Sequence, residues 1–449
     1  MTRLTLPPAA APARDIVERL RAAGHVAYLA GGCVRDALRG EAAKDFDVAT
    51  DASTDAVQAL FPRTVPVGAQ FGVVLVVSSG TSVEVATFRS DAEYVDGRRP
   101  VAVRPATPQA DAQRRDFTIN GMFLDPLNGA VLDYVGGEAD LAAGVLRAIG
   151  DPAARFAEDH LRLLRAVRFA ARFGFAIDPA TFAAMREHAA SIARIAWERI
   201  GDELVRILTE GPARRGFELL DDAGLLVHVL PEIDAMHGVL QSPDHHPEGD
   251  VFIHTLRLLA QLERPSETLA LGALLHDVAK RDCAGRHADG RITFYGHPEV
   301  GADKAVAICQ RLKRSRQTWE RVDYLVRNHL RHVSAPQMRR STLRRFLAED
   351  GIDELLELTR IDALAASGDL ASYDFCMRAR ASFVDEPIKP PPLLRGRDLL
   401  ALGYPRGPLY ARILNAVEER QLEGELTTHA AALAWVQATF PLSEATSTP

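Results

Sequence analysis

The chain has few cysteines, and they lie far apart, at positions 33, 283, 309 and 376. Zinc sites and disulfide scaffolds usually show closely and regularly spaced cysteines, so this distribution indicates neither. The longest apolar runs are far too short to span a membrane, and the N-terminus lacks the charged and apolar regions of a signal peptide. We therefore expect a cytoplasmic protein without a membrane association.

The sequence also lacks an excess of positive charge, because 53 lysines and arginines stand against 60 acidic residues. The net charge of -7 does not indicate a polyanionic partner. Arginines nevertheless cluster in residues 155–172 and 311–345, so a nucleic-acid groove can lie on an acidic protein. With 47% apolar residues in 449, the composition is that of a globular protein with room for two to four domains.

The pattern of apolar residues changes near residue 150. Before it, short β-rich runs alternate with helical ones, and we predict strands at 26–30, 44–49, 73–77 and 82–88. After Gly150-Asp151-Pro152 the strand patterns nearly vanish, and most of the remainder has a period close to 3.6. An α/β module is therefore followed by a long helical region.

A glycine pair and an aspartate pair lie close together near the N-terminus. Gly31 and Gly32 separate a predicted strand from a predicted helix, where backbone N–H groups can approach a phosphate. Asp45 and Asp47 project from one face of the next predicted strand, and paired carboxylates with phosphates suit Mg²⁺. Either feature alone is equally typical of an ordinary turn with a solvated acidic loop. Their combination favours nucleotide chemistry.

Three further polar segments each allow two interpretations. Glu84 alternates with apolar neighbours and is either a third carboxylate or a solvated residue at the edge of a sheet. Arg114 and Arg115 suit either a phosphate or surface ion pairs. The third segment is a predicted helix whose polar side chains follow one face at intervals of three: Asp159, Arg162, Arg165 and Arg168. Such a row either contacts a base and its phosphates or forms a salt-bridged surface, and spacing alone does not decide.

Five motifs in order resemble those of the class II tRNA nucleotidyltransferases (CCA-adding enzymes) and the related bacterial poly(A) polymerases. They are Gly-Gly-x-Val-Arg-Asp, Asp-x-Asp, Glu-Val-x-Thr-Phe-Arg, Arg-Arg-Asp-Phe-Thr-Ile-Asn and Glu-Asp-x-x-Arg, within about residues 25–240. The resemblance implies an α+β fold, with a nucleotidyltransferase head around a mixed β-sheet followed by all-α regions. We place the head at 1–150, a helical neck and body at 151–240, an HD domain at 241–375 and a helical tail at 376–449.

The same resemblance implies roles for individual residues. Asp45 and Asp47 would hold the catalytic metals of a two-metal mechanism, expected to be Mg²⁺, with Glu84 as a supporting carboxylate. The triphosphate would contact Gly32, Arg35 and Arg115. The incoming cytosine or adenine would pair with Asp159 and Arg162, and the nucleotide site would be completed by Arg165 and Arg168.

Two further segments are read through the family. Residues 88–111 resemble the flexible loop that the family associates with the switch from C to A addition. Gly121 stands where the family usually has alanine, and we expect this to loosen the turn without removing a chemical group.

A second group of polar residues lies in the helical region. Burying a histidine and an aspartate without partners costs roughly 2–7 kcal/mol for each group, and a shared divalent cation would offset that cost. The pattern resembles the HD superfamily of metal-dependent phosphohydrolases over about 250–375, which implies four ligands: His254, His276, Asp277 and Asp362. A transition metal suits them. His297 and His329 are candidates for a second metal or a phosphate contact, whereas His245 and His246 fit a polar loop.

The implied activity is the addition of C and A to the 3′ end of tRNA from CTP and ATP, without a nucleic-acid template and with release of pyrophosphate. An enzyme that adds only A would keep every motif seen here. A poly(A) polymerase would be expected to end in a strongly basic extension, which this sequence lacks. An HD phosphohydrolase is the alternative from a different class, either alone or as a second activity. The sequence indicates no protein partner.

Overall fold

The structure, a computed structural model, describes residues 4–68, 72–78, 80–91, 103–242, 249–383 and 390–442. Residues 92–102 of the predicted switch loop lie outside these ranges, and so do His245 and His246. The chain forms two compact units: residues 1–235 with 311–314, and residues 236–310 with 315–449. The finer boundaries at 150 and 375 stay predictions.

The first unit contains a mixed sheet that begins close to the N-terminus. The strands of this unit are β1 (Ala27–Ala30), β2 (Asp47–Thr50), β3 (Thr64–Gly68), β4 (Val73–Ser78), β5 (Thr81–Thr87), β6 (Arg89–Asp91), β7 (Val103–Pro105), β8 (Phe123–Leu124), β9 (Val131–Leu132), β10 (Val145–Leu146) and β11 (Ala176–Ile177). β6 pairs with β7 and β10 with β11, outside the main sheet. Among the described residues, the main sheet has the order β3-β4-β5-β2-β1-β8-β9. Its β2–β5 pair is parallel, whereas the other neighbours are antiparallel.

The helices of the first unit pack on this sheet or continue beyond it. They are α1 (Ala11–Ala22), α2 (Gly32–Leu38), α3 (Thr54–Leu60), α4 (Pro108–Gln113), α5 (Gly137–Ala143), α6 (Pro152–Glu158), α7 (Arg162–Phe173), α8 (Pro179–His188), α9 (Trp197–Thr209), α10 (Ala213–Asp222), α11 (Leu226–Val229) and α12 (Pro231–Asp234). Apolar residues of α1, α2 and the strands form one buried cluster, against which Phe46 packs. α7 packs on both α9 and α10.

Local interactions explain where α2 and α6 begin and where α7 ends. Gly31 adopts φ +74° directly before α2, a backbone conformation that costs a residue with a Cβ about 1–2 kcal/mol. Asp151 caps α6 by accepting from the backbone N–H groups of residues 153 and 154. Gly174, in the left-handed conformation, ends α7.

Two details of the sequence prediction are wrong. The strand predicted at 44–49 begins at Asp47, so Asp45 precedes it. Asp159 is not helical, because it takes an extended conformation (φ −141°) after α6, and α7 begins at Arg162. The Asp159–Arg162 pair therefore brackets a turn, and only the arginines follow a helical row.

Gly121 leaves no gap in the turn. A Cβ at this position would lie 2.7 Å from Cγ2 of Val135 and 3.0 Å from Cδ1 of Ile149. These two side chains occupy the space that a methyl group would need. The turn at Gly121 is therefore tightly packed, which does not support the expectation that glycine loosens it.

The second unit is helical, with one short hairpin. Its elements are α13 (Val251–Leu259), α14 (Glu267–Leu275), β12 (Gly285–Arg286), β13 (Ile292–Thr293), α15 (His297–Arg311), α16 (Arg316–Asn328), α17 (Arg340–Leu347), α18 (Ile352–Ala365), α19 (Ala371–Ser382), α20 (Gly396–Ala401), α21 (Pro408–Glu423) and α22 (His429–Thr439). α13, α14, α16 and α18 pack together. The last three helices enclose a separate apolar cluster that includes Leu399, Ile413 and Val436.

Candidate functional sites

Carboxylates from two adjacent strands lie side by side in the interior of the main sheet. In the parallel β2–β5 pair Val48 lies opposite Val85, so Asp47 and Glu84, one residue earlier, are also neighbours. Both line the same cavity. Asp45 is exposed just before β2. Phe46 packs against the core, and the negative charge of Asp45 acts on Asp47.

These carboxylates favour a bound cation. Burial, and after it the negative charges of Glu84 and Asp45, raise the pKa of Asp47 to about 6, although the Arg115 guanidinium acts in the opposite direction. Three neighbouring carboxyl groups match the oxygen-rich donor set of a hard divalent cation. The residues present therefore fit a metal of the Mg²⁺ type.

The glycine turn lies against buried guanidinium groups. Arg35 is 4% exposed, and it donates to Asp36 (Nε to Oδ1, 2.9 Å) and to Asn120 (Nη1 to Oδ1, 2.6 Å). A Cβ on Gly31 would lie 3.2 Å from Nη1 of Arg115. The turn therefore needs glycine both for its backbone and for this close approach.

A cavity of about 520 Å³ opens beside the turn and the carboxylates. Among its described lining residues, the arginines outnumber the acidic groups by eight to four. The arginines are Arg35, Arg89, Arg114, Arg115, Arg162, Arg165, Arg168 and Arg172, and the acidic residues are Asp47, Glu84, Asp116 and Asp159. Arginine donates paired hydrogen bonds to phosphate oxygens, so this cavity suits a polyphosphate.

Asp159 and Arg162 both line the cavity and are already held by the protein. Asp159 accepts from Arg199 of α9 (Nη2 to Oδ2, 3.1 Å). Arg162 donates to Glu158 (Nη1 to Oε2, 2.6 Å) and to the carbonyl of Arg114 (Nη2, 3.0 Å). An ionised carboxylate accepts up to about four hydrogen bonds, so Asp159 can still accept from a base edge.

Arg165 and Arg168 each pair with an acid from another element. Arg165 donates from Nε and Nη2 to Oδ2 of Asp116, at 2.9 and 2.7 Å. Burial alone would raise the pKa of Asp116, but the Arg165 guanidinium and the Asn120 amide hold it at about 2. Arg168 donates from Nε to Oε2 of Glu203 at 2.7 Å, with both side chains buried. These partners show that part of the arginine charge in the cavity is already neutralised.

Sequence reasoning missed several of these partners. Asp111 accepts from both Arg114 and Arg115, and its spacing of three and four residues on a helix could have indicated the contacts. Arg199 and Glu203 lie on α9, about 40 residues from their partners, and no local pattern connects them. Only the packing of α7 on α9 brings them together.

The four residues predicted from the HD resemblance meet in the second unit. Nε2 of His254 lies 2.9 Å from Oδ1 of Asp362 and 3.9 Å from Oδ2 of Asp277. Nε2 of His276 lies 3.1 Å from Oδ2 of Asp277 and 3.8 Å from Oδ1 of Asp362. Nδ1 of His276 bonds the carbonyl of Ala273, so we assign the proton to Nδ1. The lone pair of Nε2 then faces the cluster.

Unpaired polar atoms test whether a metal fits this cluster. Nε2 of His276 and Oδ1 of Asp277 are buried, and neither makes a hydrogen bond with a described residue. Leaving such atoms unpaired costs about 1–3 kcal/mol each. Imidazole nitrogens and carboxylate oxygens are ligands of divalent transition metals, so the residues fit a metal ion.

His297 and His329 adjoin the same aspartate. Their Nε2 atoms are 3.2 Å apart and lie 3.4 and 3.9 Å from Oδ1 of Asp277. Both Nδ1 atoms bond backbone carbonyls, which assigns lone pairs to the two facing Nε2 atoms. Burial, followed by the neighbouring histidines, lowers the pKa of His329 to about 3. Two groups of possible ligands therefore share Asp277.

Comparison with known proteins identifies the family of the chain and the domains that it contains. Residues 27–147 match the family model of the Poly A polymerase head domain, 174–236 that of the probable RNA and SrmB-binding site of polymerase A, and 250–367 that of the HD domain. The chain is 33% identical over 425 residues to the CCA-adding enzyme of Levilactobacillus brevis, covering 94% of this chain and 96% of that enzyme. The chain belongs to the class II tRNA nucleotidyltransferase and poly(A) polymerase family.

The length over which this chain matches other members of the family varies. The CCA-adding enzyme of Limosilactobacillus fermentum is 42% identical over 225 residues, which is 50% of this chain and 56% of that enzyme. The A-adding tRNA nucleotidyltransferase of Deinococcus radiodurans is 35% identical over 92% of this chain and 95% of its own length. The predicted fold class is confirmed by the CCA-adding enzyme of Bacillus stearothermophilus, solved with CTP. Its TM-score is 0.76 at 26% identity, covering 98% of this chain and 99% of that one.

Two predictions from the sequence can be compared with these matches and with the helices of the structure. The predicted nucleotidyltransferase class and the HD domain are confirmed. In the ranges that the structure describes, the helices are too short or too polar to cross a membrane.

Proposed function

We propose that the first unit adds C and A to the 3′ end of tRNA, taking the nucleotides from CTP and ATP without a nucleic-acid template. The observation that carries this proposal is the position of Asp47 beside Glu84 in a cavity lined by eight arginines among its described residues. The relatives that match nearly the whole chain are named CCA-adding and A-adding enzymes. In this proposal the protein acts in the cytoplasm, and its partners are tRNA, CTP and ATP.

The roles of the carboxylates follow from their charge. Asp45 and Asp47 would hold Mg²⁺, with Glu84 beside them. When bound, the metal lowers the pKa of the attacking RNA 3′ hydroxyl and neutralises charge on the phosphoryl oxygens. Two neighbouring strands of the sheet hold Asp47 and Glu84 in fixed positions, so the protein contributes chiefly by positioning.

The remaining residues bind and select the nucleotide. Gly32, Arg35 and Arg115 would contact the triphosphate as pyrophosphate leaves the α-phosphorus. Asp159 and Arg162 would supply an acceptor and donors to the base. Arg165 and Arg168 would complete the nucleotide site, in large part by neutralising and fixing the wall of the cavity.

Three tRNAs test the proposal: one ending before the CCA, one after C and one after CC. With CTP and ATP together, we expect each to be completed to CCA with no further addition. Asp47→Asn should abolish incorporation with an unchanged circular dichroism spectrum, whereas Asp55→Asn, an exposed head aspartate on α3, should leave it intact. Incorporation of ATP only, and only on the tRNA ending in CC, would identify an A-adding enzyme. Long A tails on unstructured RNA would identify a poly(A) polymerase.

We propose metal-dependent phosphoester hydrolysis as a second function, carried by the unpaired Nε2 of His276 and Oδ1 of Asp277. His254, His276, Asp277 and Asp362 would hold the metal. We expect Ni²⁺ or Mn²⁺ to support hydrolysis of a phosphoester, and equilibrium dialysis to detect the bound ion. His276→Ala should abolish both, whereas His287→Ala, in the exposed hairpin, should change neither. Metal binding by the wild type without hydrolysis would show that the site is retained but inactive.

A further inference from the structure

Asp111 is a buried carboxylate that the proposed reaction does not use. It lies on α4 and is 2% exposed. Arg114 donates to its Oδ1 from Nε and Nη2, at 2.9 and 2.7 Å. Arg115 donates to its Oδ2 from Nε and Nη2, at 3.2 and 3.0 Å. One carboxylate therefore holds two consecutive guanidinium groups, one on each oxygen.

These contacts fix the guanidinium plane of Arg115. Of its five N–H groups, two donate to Asp111 and one donates to the carbonyl of Asn120 at 3.2 Å. The group also lies over the ring of Phe123, 5.0 Å from its centroid. Since Nη1 borders the turn at Gly31, the two N–H groups not bonded to described residues belong to a guanidinium held beside the phosphate-binding turn.

Asp111 holds the two arginines through its negative charge as well as through the positions of its two oxygens. Adjacent guanidinium groups repel, and the described lining of the cavity already has more arginines than acids. Burial disfavours the ionised carboxyl, but Arg115 and Arg114 outweigh this and lower the pKa of Asp111. Asp111 is therefore charged at neutral pH, and removing its charge would leave both arginines without their shared anchor.

We propose that Asp111 is a positioning residue that orients Arg114 and Arg115 toward the triphosphate of the incoming nucleotide. The proposal rests on the proposed nucleotidyltransferase function. Asp111 acts through the two arginines and does not itself touch the nucleotide. Its effect should therefore depend on the phosphates and not on the base or sugar.

Binding of CTP and CMP to the full-length protein tests this. Asp111→Asn should weaken CTP binding by about tenfold or more, as for loss of a pre-organised charged contact, while CMP binding changes by less than about twofold. The KM for CTP should rise similarly, with a much smaller change in kcat. Asp111→Glu, which keeps the charge, should recover part of the preference for CTP.

Asp125→Asn is the matched control. Asp125 is also a buried carboxylate of the first unit, and it accepts from Arg21 at 3.0 Å. It is not among the described residues that line the cavity. We expect its variant to bind CTP and CMP with the wild-type ratio, even if thermal unfolding shows a loss of stability.

The outcomes separate this proposal from the function on which it rests. If the wild type neither binds CTP nor incorporates it, the proposed function fails. If the wild type is active and Asp111→Asn keeps the wild-type ratio of CTP to CMP affinity, Asp111 does not position the arginines. An equal loss for both nucleotides also overturns the proposal. Should Asp111→Asn not fold, Asp111→Glu decides: a smaller loss confined to CTP supports the proposal, and any other result contradicts it.

Discussion

The ion pair between Arg168 and Glu203 joins α7 to α9, and neutralising one partner should weaken that junction. The two side chains are 5% and 4% exposed, and Nε lies 2.7 Å from Oε2. Removing one partner of a buried pair costs about 3–5 kcal/mol, because the other charge stays buried. Here Arg168 keeps a second partner, Glu210, at 3.3 Å. For Glu203→Gln we therefore expect a loss of about 2–3 kcal/mol.

Removing both charges should be less harmful than removing one. In the double variant Arg168→Met/Glu203→Leu neither member of the pair is left as a buried charge without the other, and Glu210 keeps Arg172 at 3.7 Å. Apolar replacement of a buried pair is often close to neutral, so we expect the double variant to lose less than the single one. Glu218→Gln, which breaks an exposed pair with Arg214 on α10, should cost less than about 0.5 kcal/mol.

Hydrogen exchange of the amides in α7 and α9 is the suitable measurement. A chain with two compact units does not unfold in a single two-state transition, so a global free energy of unfolding is poorly defined. Exchange instead reports the local free energy of opening in the two helices. A loss below about 0.5 kcal/mol for Glu203→Gln, or a double variant that is no better than the single one, would refute the argument that burial makes this pair costly to break.

Three further predictions concern the first unit. Gly31→Ala should weaken CTP binding, because the new Cβ would lie 3.2 Å from Nη1 of Arg115. Gly24→Ala is the control, since Gly24 has φ +90° but open space around it. This variant should lose stability through its backbone conformation alone and bind CTP normally. Gly121→Ala should lower the thermal unfolding temperature by overpacking, at a cost of about 1–3 kcal/mol; unchanged or increased stability would contradict the packing. The pKa of Asp116 falls to about 2 on folding. The ionised carboxylate should therefore contribute about 2–3 kcal/mol to the stability of the folded state above about pH 5, and this contribution is lost as the pH drops toward about 2. Hydrogen exchange in α7, whose Arg165 pairs with Asp116, should therefore show a lower local free energy of opening for Asp116→Asn than for the wild type near pH 6, and a smaller difference near pH 3. An equal difference at both pH values would contradict the assignment.

The sequence predicted several side chains that line the cavity, but it did not predict which residues they contact. The alternation of apolar residues put Asp47 and Glu84 on strands, but a period of two specifies a face and not an adjacent strand. Their contact depends on the parallel pairing of β2 with β5, and the β3–β4 hairpin lies between them in the chain. No local pattern reveals such a pairing.

The helical side of the cavity shows a second limit. Helical periodicity correctly predicted α7, yet the same periodicity wrongly extended it to Asp159, where the chain is extended. The acids that pair with Arg165 and Arg168 come from other elements, so their contacts depend on tertiary packing. In the second unit the four HD residues could be predicted because the motif itself specifies them, whereas the 3.2 Å approach of His297 to His329 could not.

The contacts of α7 with the segment after α4 bear on how this family can be recombined. Arg162 bonds the carbonyl of Arg114, and Arg165 bonds Asp116, so the helix proposed to select the base also holds the residues proposed to bind the phosphates. A cut at residue 150 would separate partners that lie within one compact unit. Chimaeras of this chain with its CCA-adding and A-adding relatives should therefore work when residues 1–235 are exchanged as one block. Base choice and catalysis would then be inherited together.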